Sequence, residues 1–133
     1  MGEYSELIFG ARLKDDNEII TTIRQLVEHE KVMPIPSHEF FKSKRYTQIA
    51  RGTNSYYFAG SSEPTFYYDH IVKEWTLLIR MNMKDYDNEI EKFLDWIKPY
   101  ITQGSGNNNM YAIVMHEWNT YPIMYYIEDI EEE

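Results

Sequence analysis

Cysteine is absent from the 133 residues, which removes disulfides and thiolate metal ligands together and fits a reducing compartment. A cytoplasmic location is the expectation. No apolar run approaches the roughly 20 residues that a bilayer-crossing helix needs, and the opening MGEYSELIFG has no basic stretch ahead of a hydrophobic one. Neither a membrane segment nor a signal peptide is expected. Gly2 invites N-myristoylation, but Glu6 stands where that motif needs Ser or Thr. Basic residues are few: 13 against 22 acidic leave a net charge of -9, a balance that repels phosphate backbones. Direct nucleic-acid binding is therefore not expected. The charge serves plain solubility or presents an acidic face to a basic protein partner.

Long proline or glycine tracts, internal repeats and low-complexity linkers are missing too. One domain over 1–133 follows, able to bury about two-thirds of its extended-chain surface without staples. Only the acidic tail, 128–133, reads as untethered.

What is present alternates between two periods. Tyr4 to Leu13 is apolar and aromatic and reads as a strand. Next, Asp15 or Asp16 can cap a helix that carries Ile19, Ile20, Ile23, Leu26 and Val27 on one side. Pro34 and Pro36 then break the chain, and Ser37 caps a short helix through Phe40 and Phe41. From Ser55 the pattern turns to strands: SYYFAG, TFYYD and EWTLLIRMN, with Trp75, Leu77, Ile79 and Met81 on one face. The strongest helix starts near Asp85 or Asp87 and spaces Ile90, Phe93, Leu94 and Ile97 as one stripe, with Glu89, Glu91, Lys92 and Asp95 outward. Pro99 stops it. A polar loop from Thr102 to Asn109 leads to MYAIVMHEW and YPIMYYIED, a hairpin around Asn119-Thr120. The expected fold is α+β, in the order β-α-(α)-β-β-β-α-β-β. A mostly antiparallel sheet of five or six strands carries the two main helices on one face, burying Ile23, Leu26, Ile90, Phe93 and Leu94 together.

Motifs for chemistry are weak. His29-Glu30, His38-Glu39 and His116-Glu117 pair histidine with glutamate, yet no two histidines stand one helical turn apart, as a zinc protease requires. They read as surface chance pairs, and neither a metal nor a cofactor is expected. Gly104-Ser105-Gly106 precedes a strand, whereas a phosphate loop precedes a helix. Ser, His and Asp occur without a G-x-S-x-G elbow. Lys42, Lys44, Arg45 and Arg51 form the one cationic cluster, suited to a phosphate, to an acidic partner or simply to a solvated face.

Aromatics are in excess, with 12 Tyr, 6 Phe and 3 Trp bunched as Tyr56-Tyr57-Phe58, Phe66-Tyr67-Tyr68 and Tyr125-Tyr126. Consecutive strand residues face opposite ways, so some rings must leave a one-sided core. Either they suit strand pairing, or they form a recognition surface, since Tyr and Trp dominate interface hot spots. The candidate surface is Tyr57, Tyr68, Trp118 and Tyr126 with Glu128 and Asp129 of the tail.

The segments YSELIFGARL, DNEIEKFLDWIKPYI, the Gly104–Gly106 loop and the closing MYAIVMHEW with YPIMYYIED resemble small proteins carried in bacteriophage and prophage genomes. The likeness spans most of the chain and brings no site residue with it. It implies a phage accessory product that binds and blocks a host or defence protein, of the anti-CRISPR or anti-defence type, without catalysis. An immunity protein that neutralises a bacterial toxin shares the same size and charge, and a small hydrolase or nucleotide-binding enzyme is the third class. The sequence leaves the partner and the oligomeric state open.

Overall fold

A computed structural model describes residues 4–53, 63–85, 87–104 and 109–127. Its elements are β1 (Tyr4–Leu13), α1 (Asn17–Val27), β2 (Thr65–Asp69), β3 (Glu74–Lys84), α2 (Glu89–Ile97), β4 (Ile101–Gly104), β5 (Met110–His116) and β6 (Ile123–Tyr126). The six strands form one antiparallel sheet in the order β2-β3-β1-β5-β6, with β4 also paired to β1. The fold is α+β, as the periodicity implies.

Asp16 caps α1, its carboxylate accepting the N–H groups of Glu18 and Ile19 at 3.1 and 3.3 Å. Ile19, Ile20, Ile23 and Leu26 of α1 join Ile90, Phe93, Leu94 and Ile97 of α2 in one buried cluster with Leu7, Phe9, Ala11 and Leu13 of β1 and Leu77, Ile79, Met81 and Met83 of β3. Alternation along each strand thus sends one set of side chains under the helices. The other set, including Ile8, Arg12, Leu78, Arg80 and Met115, lies on the opposite face. The short helix expected after Ser37 is two 3-10 turns, Glu39–Lys42 and Tyr46–Gln48. Their Phe40 packs on Phe93 and Trp96 and their Phe41 on Trp96, while Tyr46 meets Phe40 and Phe41 edge-on. Much of the aromatic excess is therefore core. The strand expected at 55–60 lies outside the described residues.

One segment departs from expectation. The polar stretch from Thr102 reads as loop, yet Ile101–Gly104 pairs with β1 as β4. Lys14 N–H donates to the Tyr100 carbonyl at 2.9 Å, which holds the chain against β1 after Pro99 ends α2. β4 and β5 therefore share one edge of β1, at Ala11–Leu13 and Ser5–Phe9 respectively. β4 ends with Gly104 opposite Ala11, and β5 takes up the same edge with Ala112 opposite Phe9. A Cβ on Gly104 would lie 2.4 Å from the Met110 carbonyl oxygen and 2.6 Å from Asn109 backbone. Glycine is needed there for the close approach.

Since the clash is with backbone, side-chain rotation cannot relieve it. Gly104→Ala is expected to lose about 2 kcal/mol or more of unfolding free energy, read from urea denaturation against wild type. An unchanged midpoint would show that β4 and β5 do not meet there.

Candidate functional site

The stretch from Asp85 to Glu91 and the distant His116 converge at the end of β5. Asp85 follows β3, Glu91 lies in the first turn of α2, and His116 closes β5. Asn88 caps α2 in the left-handed conformation with no side-chain bond. Instead, Asp85 Oδ1 accepts the Ile90 N–H at 3.2 Å. A carboxylate is favourable at that positive helix end, and the bond fixes its orientation.

The β1–β5 register sets Ser5 opposite His116, and the Ser5 hydroxyl meets His116 Nδ1 at 2.6 Å. On the other side of the ring, Nε2 is 3.1 Å from Glu91 Oε2. With Glu91 ionised, Nε2–H donates to the carboxylate and the Ser5 hydroxyl donates to Nδ1. Burial pushes the His116 pKa down while the Asp85 charge pulls it back up. Trp118 stacks on the ring, with centroids 4.2 Å apart and planes at 17°.

Asp85 is the most perturbed carboxyl of the group. Burial first, then the neighbouring Glu91 carboxylate, push its pKa up to about 7, opposed by the Ile90 N–H and by His116. Glu91 Oε1 is shut off from solvent without a hydrogen-bond partner. Tyr125 also feels the site: burial, then the charges of Glu91 and Asp85, raise its phenol pKa. The donor atoms of Asp85, Glu91 and His116 all lie within 4.8 Å of one another. Such a group can hold a proton between two carboxylates or a cation among three ligands.

Ser5, His116 and Glu91 also form the outline of a hydrolase relay. Ser5 is only 1% exposed, so its Oγ is not open to a substrate.

Several expectations are corrected here. Glu89 and Glu91 do not point outward. Glu89 is fully buried, its Oε2 3.4 Å from Arg45 Nε, because the 3-10 turns cover that flank of α2. Nor are His116 and His38 surface chance pairs. His116 is bonded through both nitrogens, and His38 accepts the Phe40 N–H at Nδ1 while its Nε2 contacts Asp95 at 3.0 Å. His29 is exposed. Within the cationic cluster Arg45 faces Glu89 and Arg51 donates to the Leu26 carbonyl at 3.1 Å. Lys42, Lys44 and Arg45, with Asp87, still line a hollow of about 500 Å³. A roomier cleft of about 930 Å³ runs between α1, the 33–38 segment and α2, with Thr22, Pro34, Trp96 and Tyr100 among its walls.

Of the expected recognition residues, Trp118 is 60% exposed. Tyr68 is not a free anchor: it shares the helix-side face with Phe66 and meets Trp75 and His70 edge-on at 5.5 and 4.8 Å. Tyr126 is half-buried, its hydroxyl 3.8 Å from Met124 Sδ. Tyr57, Glu128 and Asp129 lie outside the described residues. The sequence reading overlooked Tyr121, which is 77% exposed at the β5–β6 turn. Its signal was the Tyr-Pro pair just after the turn residues Asn119-Thr120.

No protein-family model, no curated protein and no solved structure matches the chain.

The raised Asp85 pKa has a definite sign. The stability it contributes is complete below pH 4, near the unfolded value of 3.8, and is lost as pH rises through about 7. His116 acts oppositely, its lowered pKa removing stability as pH falls below the ordinary histidine range. Asp85→Asn retains an acceptor for Ile90 N–H and abolishes the first effect. With EDTA present, this variant should gain on the order of 2 kcal/mol over wild type at pH 8 and little at pH 4.5. Urea unfolding at both values tests it, and a gain independent of pH would contradict the assignment.

Proposed function

We propose that the chain is a non-catalytic binding protein that grips a basic protein partner through its terminal hairpin. One observation carries the reading. Met115, Trp118, Tyr121, Ile123 and Met124 are all exposed large apolar side chains within a single β-hairpin. β6 also ends the sheet order, so its outer edge has no strand beside it among the described residues. Native proteins usually blunt such an edge with charge or proline. An apolar edge hairpin with a tryptophan and a tyrosine at its tip has instead the make-up of an interface centre.

Charge selects the partner class. The chain carries -9 overall, and both arginines on the helix-free face are neutralised, Arg12 by Asp69 at 3.2 Å and Arg80 by Glu6 at 3.3 Å. The remaining field steers a basic surface inward. In this reading the chain is a phage accessory product that blocks a host or defence protein. The resemblance to small phage proteins supports that part. An immunity protein would use the same hairpin against a toxin, and a toxin gene beside this one would favour that reading.

The test compares partner binding by wild type with Trp118→Ala and Tyr121→Ala. At least one substitution should weaken binding by about 2 kcal/mol through faster dissociation, while circular dichroism stays native. Raising salt tenfold should slow association and spare dissociation. Partner binding untouched by salt and by both substitutions would defeat the proposal. So would light scattering showing that the hairpin pairs two copies of this chain.

A further inference from the structure

We propose that Asp85, Glu91 and His116 form a binding site for one divalent cation of the zinc type, with water completing the shell. The proposal is independent of the hairpin reading, since it concerns the Nε2 edge of His116, whereas Trp118 stacks on the ring's face.

Geometry comes first. Zinc binds histidine nitrogen and carboxylate oxygen at about 2.0–2.2 Å, so ligand atoms around a tetrahedral ion sit roughly 3.4 Å apart. His116 Nε2 and Glu91 Oε2 are already 3.1 Å apart. The other pairs lie within 4.8 Å, a gap that small side-chain rotations of Asp85 and Glu91 can close. Glu91 comes from the first turn of α2 and His116 from the end of β5, while Asp85 directly follows β3 and is pinned by its bond from the Ile90 N–H. A helix and a strand therefore present two of the ligands and a backbone bond fixes the third, which limits the reorganisation on binding.

A second observation points to a ligand. Glu91 Oε1 is buried without an N–H donor, and the Asp85 carboxyl can donate to Glu91 only while it holds a proton. A dry carboxylate oxygen without a donor is costly, and a bound cation would satisfy it. The surrounding shell is also built for metal. Ser5 anchors His116 Nδ1 at 2.6 Å, and Ile90 N–H anchors Asp85 Oδ1 at 3.2 Å. Outer partners of this kind orient ligands and raise their affinity. The Ser5 hydroxyl can accept from Nδ1–H as readily as it donates, so Nε2 is free to turn its lone pair to the ion.

Charge decides the remainder. The α2 N-terminus opposes a cation with roughly half an elementary charge, whereas the two carboxylates supply two full negative charges. Calcium and magnesium require about six or more oxygen ligands or a retained water shell. One imidazole with two carboxylates suits a borderline ion. Glu91 keeps a third of its side chain exposed, which provides the entry path.

Dialysed protein would be titrated with zinc chloride at pH 7.5 by calorimetry, while the His116 ring nitrogens are followed by 15N NMR. The expected result is one ion per chain with dissociation in the micromolar range or tighter, a displaced His116 Nε2 resonance and a raised melting temperature. Glu91→Gln and Asp85→Asn should each weaken binding tenfold or more with native circular dichroism, and Ser5→Ala by roughly tenfold. Should a variant fail to fold, the wild-type His116 resonance decides alone. Zinc that does not bind, that leaves His116 unmoved, or that binds the folded variants as well as wild type overturns the proposal.

Discussion

Everything positioned in this fold hangs on β1. Its ten residues pair along their whole length with β3 on one edge and with β4 and β5 on the other. Its inward side chains, Leu7, Phe9, Ala11 and Leu13, form the floor on which both helices rest. A one-residue slip of β1 would put those four on the open face and Glu6, Ile8 and Arg12 under the helices. The penalty for burying charge there is large, so the register is strongly specified. That register alone sets Ser5 beneath His116 and so places the imidazole toward Glu91.

The polar cluster resolves an apparent conflict in α2. A helix that begins Glu89-Ile90-Glu91 must point two carboxylates somewhere near its buried end. Glu89 finds Arg45 in the 3-10 segment, and Glu91 finds His116 across the gap to β5. Both acids also benefit from the positive helix terminus. They join α2 to its neighbours through charge as well as through the Phe93 and Ile97 contacts. Buried ionic groups of this kind add little net stability, but removing one partner is expensive. They restrict how α2 is seated.

Legibility in the sequence followed the range of the interaction. The stripes Ile19-Ile23-Leu26 and Ile90-Phe93-Leu94 and the alternation Trp75-Leu77-Ile79-Met81 are local patterns, and they led to the helices, strands and core faces found. β4 was hidden because Ile101–Gly104 is too short and polar to carry a period; it is a strand only because β1 offers it an edge. The Asp85, Glu91 and His116 cluster was hidden for a related reason. Ligand spacing along the chain is informative only when one element supplies several ligands, and here a connecting residue, a helix and a strand supply one each. Glu91 sits on the polar side of α2 by helical periodicity, and nothing local tells that β5 covers that side. A Phe-Tyr-Tyr or Tyr-Tyr run shows that rings split between faces without showing which face is dry, so it does not tell that Tyr68 and Tyr126 are half-buried.

The pairing of β1 with β5 also imposes an order in time. Ser5 and His116 are 111 residues apart, and a ribosome adding about 5–20 residues per second separates their appearance by roughly 5 to 20 seconds. During that interval YSELIFGARL is an apolar strand lacking the neighbour that seals one of its edges. β3 arrives earlier and can shield the other edge. The nascent chain is therefore at greatest risk of adhesion to other chains before β5 emerges, and chaperone engagement during synthesis should centre on that first strand.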